Sequence, residues 1–115
     1  MTQGELRDYI LTFADAEEYN PFDDTGPIYR HKSNRKWFGF FAELSQKKCI
    51  ILKCEPLEAD FLRQAYQGVT PGWHMNKQHW NTVALDSDVP AEEIKKMVRM
   101  SFHLTASKTG GKRRG

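Results

Sequence analysis

Residues 28–54 read IYRHKSNRKWFGFFAELSQKKCIILKC, three short runs rich in aromatic and β-branched residues, separated by SNR and SQ. Such runs bounded by turn-forming residues predict strands, and the short separations predict antiparallel hairpins. The segment is therefore expected to form a three-stranded meander. Side chains alternate between the faces of a strand, so Phe38, Phe40, Ala42 and Leu44 are expected on one side of the middle strand. Trp37, Gly39, Phe41 and Glu43 are expected on the other. The Phe38 side is expected under helices and the Trp37 side only partly covered.

Towards the N-terminus, Thr2 and Glu5 have capping-box spacing, and Leu6, Tyr9, Ile10, Phe13 and Ala14 follow with helical periodicity. The spacing predicts an amphipathic helix over 3–18, closed by the turn-prone stretch around Pro21, Gly26 and Pro27. Towards the C-terminus, Pro56 opens a second helix with Leu57, Phe61, Leu62, Ala65 and Tyr66 as its apolar stripe, ending at Gly68. HWNTVALD (79–86) alternates as a further strand. A last helix begins at Asp88, carries Ile94, Met97, Val98 and Leu104 inward, and ends near Ser107. No βαβ periodicity appears, so the expected fold is α+β: a two-layer sandwich of an antiparallel sheet with helices packed on one face.

The chain has 115 residues, 39% hydrophobic and 28% charged, which suits one domain with one core. That domain is expected over 1–107, followed by a flexible basic tail over 108–115. No stretch approaches the roughly 18 apolar residues that a bilayer requires, and the N-terminus lacks an export signal, so a cytoplasmic protein without membrane association is expected. Cys49 and Cys54 lie five apart, on opposite faces of an extended segment, which predicts free thiols. The net charge of +2 conceals segregation. From Glu5 to Asp24 there are seven acidic residues against Arg7, from Arg30 to Lys53 seven basic residues against Glu43, and the tail adds four more basic ones.

The densest polar and aromatic cluster is Pro71-Gly72-Trp73-His74-Met75-Asn76-Lys77-Gln78-His79-Trp80-Asn81-Thr82. Through Pro71, Gly72, His74, Met75, Asn76, Lys77, His79, Trp80 and Asn81, with LKCEP before and VP after, the chain resembles the YjbR/MmcQ-like family from its first helix to Leu104. The resemblance implies a CyaY-like, or frataxin-like, sandwich and DNA binding through a double-wing arrangement. The basic tail lies outside it.

His74 and His79 are five apart, which suits neither a strand face nor a zinc helix; hydrogen-bonded structural histidines are expected there and at His103, with no metal and no cofactor. Asp15, Glu17, Glu18, Asp23 and Asp24 parallel the acidic ridge of frataxin-like proteins, but a solvated face explains them more simply. No nucleophile elbow, phosphate loop or paired-carboxylate motif is present, so no enzyme is expected.

Nucleic-acid binding needs cations on one surface and polar or aromatic groups that meet bases. Arg30, Lys32, Arg35, Lys36, Lys47 and Lys48 are expected to cluster on two adjacent hairpin tips, with Lys77 as a further phosphate contact and Asn76, Gln78 and Asn81 as polar readers. The plainer reading makes the lysines guards against edge aggregation and the amides turn-formers. A protein-interaction or small-ligand module of unknown partner, built on Trp37, Phe41, Trp73 and Trp80, is the alternative. A monomer is expected in either case.

Overall fold

A computed structural model describes residues 1–21 and 26–107; the tail over 108–115 and the acidic pair Asp23 and Asp24 lie outside the described residues. The elements run α1 (Gln3–Ile10), β1 (Ala16–Tyr19), β2 (Ile28–His31), β3 (Trp37–Leu44), β4 (Lys47–Lys53), α2 (Pro56–Ala65), β5 (Val69–Pro71), β6 (Trp80–Ala84) and α3 (Ala91–Thr105). The six strands form one antiparallel sheet in the order β1-β2-β3-β4-β6-β5. All three helices lie over one face, so the α+β two-layer sandwich holds. Among the described residues no helix is long and apolar enough to cross a membrane.

The meander forms as its sequence predicts. Ser45 and Gln46 both adopt positive φ between β3 and β4, the two-residue turn whose twist matches its strands. The face assignment fails. Tyr29 pairs with Gly39 but Arg30 with Trp37, so Phe38 is one residue too many for β2, a β-bulge that reverses the phase of alternation. Beyond it Gly39 and Phe41 face the helices with Phe38, while Trp37 and Phe40 share the open face, their rings 6.1 Å apart. Phe38 and Phe41 are buried with Tyr29, Ile50, Leu52 and Val83.

The first helix is shorter than its periodicity predicts. Thr2 and Glu5 cap it reciprocally, but Thr12 and Phe13 bond back only three residues, the tightening that ends a helix. Glu17 and Glu18 then enter β1, where Glu17 meets Arg30 at 2.8 Å and Glu18 meets Arg7 at 2.7 Å. Phe13 is drawn against Phe38 and Phe102. β5, only three residues long, carries no local pattern that marks it as a strand. Asp88 does not open the last helix, whose N-cap is Pro90; its carboxylate instead accepts the backbone N–H groups of Gln67 and Gly68, both at 2.8 Å.

On α2 the apolar stripe is split. Ala59 and Leu62 are buried, but Leu57 is 88% and Phe61 62% exposed. Leu57→Lys combined with Phe61→Lys is therefore expected to change stability by less than about 0.5 kcal/mol per site, against about 2–5 kcal/mol lost in Leu62→Ala. Thermal unfolding of the two variants checks the contrast; equal losses would mean that the exposed pair packs in solution.

Candidate functional site

The open sheet face is built from Ile28, Trp37, Phe40, Ala42, Cys49, Ile51 and Thr82, and the loop 72–79 folds back across it. Gly72 starts the fold. Its N–H donates to the Trp80 carbonyl at 2.8 Å, and a Cβ there would stand 2.6 Å from Trp80 Cβ, so only glycine permits the approach. The Trp73 N–H donates to Thr82 Oγ1 at 2.9 Å, whose hydroxyl donates to the Pro71 carbonyl at 3.1 Å. Lys77 Nζ donates to the Gly72 carbonyl at 2.7 Å, and Asn76 Oδ1 accepts the Gln78 N–H at 2.9 Å. From below, Arg63 of α2 donates to Asn81 Oδ1 at 2.7 Å and to the carbonyls of Lys77 and Trp80.

This stapling holds Trp73, His74 and Met75 over the open face. His74 sits at φ 62°, and its ring lies 4.0 Å from that of Trp73. With Ile28, Trp37, Phe40 and Ala42 they wall a groove of about 740 Å³, which has Glu43 and Lys48 towards one end. Trp37 and Trp73 remain 37% and 41% exposed. A neighbouring hollow of about 440 Å³ brings Lys47 and Cys49 together with Asp86 and Asp88.

The expected basic cluster is divided. The turn 32–36 precedes β3 and the turn 45–46 follows it, so Lys32, Arg35 and Lys36 stand about 23 Å from Lys47 and Lys48. The two tips are neighbours in sequence and opposite ends of one strand in space. The loop 72–79 instead enters β6 at the end where Lys53 pairs with Trp80, the same end as the turn 32–36. Lys32, Arg35, Lys36, Asn76, Lys77 and Gln78 are all exposed there. Arg30 is engaged, bonded to Glu17 and lying 3.8 Å over the Tyr19 ring. Asn81 is 2% exposed and spans Arg63 and the Ala59 carbonyl, which removes it from any contact surface. Phe41 is likewise core, and Phe40 takes the surface place expected for it.

Asp15, Glu17 and Glu18 are paired within the fold, with His31, Arg30 and Arg7 respectively. The Ser33 hydroxyl, with His31 behind it, holds the Asp15 carboxyl below its ordinary range, and Arg7 does the same for Glu18. Burial pushes the Cys54 thiol up to about 11 and raises that of Cys49, leaving both poor nucleophiles. His79 lies at the foot of the loop, where its carbonyl accepts the Cys54 N–H. Among the described residues no group of three or more metal-binding side chains converges.

A helix-backed antiparallel sheet with a motif loop folded over its bare face defines a small α+β protein with an open-face groove. The chain belongs to the YjbR family, whose model matches residues 11–104. It is 33% identical to Escherichia coli YjbR over 89% of this chain and 85% of that protein, and 36% identical to Bacillus subtilis YyaQ over 66% of this chain and 72% of that one. A Pseudomonas syringae crystal structure superposes with a TM-score of 0.85 at 29% identity, covering 92% of this chain and all of that one. A Deinococcus radiodurans structure does so with 0.82 at 31% identity, covering 98% and 83%.

Proposed function

We propose that this YjbR-family chain is a monomeric, non-enzymatic, cytoplasmic module that binds nucleic acid at the end of the sheet shared by the turn 32–36 and the loop 72–79. The observation that carries this reading is that Lys32, Arg35 and Lys36 are exposed at the same end of the sheet as the exposed amides of Asn76 and Gln78. None of those three cations is in a salt bridge among the described residues, and free cations are what release counterions from a phosphate backbone. Nearby amides offer hydrogen bonds to base edges. Two unpaired, buried thiols suit a reducing compartment.

Binding is favoured over turnover because the histidine–carboxylate pair found among the described residues, His31 with Asp15, has its imidazole fully buried against α3. A base needs reach to a substrate proton. Lys32→Glu with Lys36→Glu, titrated against labelled single-stranded and duplex DNA, is expected to weaken affinity at low salt at least about 10-fold and to lower the slope of log K against log salt by about 2. Affinity equal to that of the parent chain would overturn the reading.

A further inference from the structure

We infer that the nucleic acid bound is a single strand, laid from the cationic end of the sheet into the open-face groove so that a base stacks between Trp37 and the Trp73–His74 pair. This rests on the nucleic-acid reading and narrows it. Trp37 opens β3 directly after the turn that carries Lys32, Arg35 and Lys36, so a strand held at that turn meets Trp37 as its first aromatic surface. Phe40 continues that surface along β3, and Lys48 lies towards the far end, in register with Glu43.

The geometry discriminates between nucleic-acid forms. A duplex keeps its bases stacked on one another and shows only their edges, so rings set inside a groove cannot reach a base face without unpairing it. A single strand splays its bases, and aromatic side chains on a sheet beside a positive track are the usual platform for them. A second copy of this chain is a poorer occupant, because the charged lining of the groove, Glu43 and Lys48, is balanced, whereas a polyanion is complementary to the cations of the adjoining turn, Lys32, Arg35 and Lys36.

The groove also has the rigidity that stacking needs. The Thr82 hydroxyl fixes the Trp73 backbone, and Gly72 and Lys77 close the loop behind it. The backbone that carries Trp73 and His74, whose rings lie 4.0 Å apart, is thus in place before any ligand arrives, which lowers the ordering cost of binding.

The test uses the full chain with a labelled eight-nucleotide thymidine strand and a labelled sixteen-base-pair duplex. The single strand is expected to bind at least about 10-fold more tightly at low salt, with quenching of tryptophan fluorescence. Trp37→Ala, at a surface position, is expected to weaken single-strand binding about 10-fold and to leave duplex binding unchanged, its unfolding temperature serving as the check on folding. Lys48→Glu is expected to follow the same pattern. Equal or tighter duplex binding, with no response to Trp37→Ala, overturns the inference and leaves the nucleic-acid reading standing. No binding of either probe overturns both.

Discussion

Phe38→Ala is expected to destabilise the protein by about 3–5 kcal/mol, the range for emptying a fully buried aromatic site, and to lower the unfolding temperature by more than about 10 °C. Phe38 has no exposed surface. Its ring meets those of Phe102 at 5.0 Å, His31 at 5.3 Å and Phe13 at 6.5 Å, so it joins β2, β3, α3 and the segment after α1. Its carbonyl accepts the Ser101 hydroxyl, which in turn accepts the Lys53 N–H at 2.9 Å. Removing the ring opens a cavity where four segments meet, and none can close it without leaving its own hydrogen bonds. Phe40→Ala, on the open face, is expected to cost clearly less. Chemical denaturation of the pair checks the ranking, and equal losses would contradict the bulge assignment.

The second large effect is expected at His31, where substitution by alanine should cost about 2–4 kcal/mol. The imidazole is wholly buried. Nδ1–H donates to Asp15 Oδ2 at 3.1 Å, while Nε2 lies 2.9 Å from Thr105 Oγ1 and 3.0 Å from the Phe102 carbonyl. The ring thereby ties the turn after α1 to the last turn of α3, assisted by Asn34, whose amide donates to the Thr105 carbonyl at 2.9 Å. Alanine strands those polar groups and opens a void against Phe38 and Phe102.

The same latch predicts an acid limb. Asp15 is held below its ordinary range in the folded state, by Ser33 first and His31 after it. Its contribution is thus present above the unfolded carboxyl value, about 3.9, and is lost as pH falls through the lower folded value. Glu18, lowered chiefly by Arg7, acts with the same sign. Asp15→Asn should make the stability profile shallower below about pH 4. An unchanged profile would show that Asp15 does not sense the fold.

Much of the architecture was legible because it is written locally. The capping box at Thr2, the Ser45-Gln46 turn, Pro56 at the first position of α2 and the spacing of Ile94, Met97 and Val98 each act over a few residues, and each forms as read. The motif loop was legible as a cluster, and Trp37 and Trp73 as surface aromatics. What local pattern could not supply was the phase of β3. In a run of Trp, Phe, Gly, Phe and Phe both faces look apolar, so alternation carries no marker for the extra residue at Phe38, and the bulge is fixed only by pairing with Tyr29 and Arg30. For the same reason strict alternation predicts Phe41 at the surface and Phe40 in the core, the reverse of what forms.

Local sequence pattern was enough for the α+β sandwich, its strand-forming meander, the starts of its first two helices and the segments that carry charge. Tertiary structure alone decided that β1 and β5 exist, because strands of four and three residues gain their hydrogen bonds only from a partner. It alone decided that Leu57 and Phe61 face outwards and that Asn81 is spent on Arg63 and Ala59. It also parted the two basic turns and put one of them at the same end of the sheet as the loop 72–79, because a strand of eight residues carries its ends far apart while sheet pairing brings distant segments together.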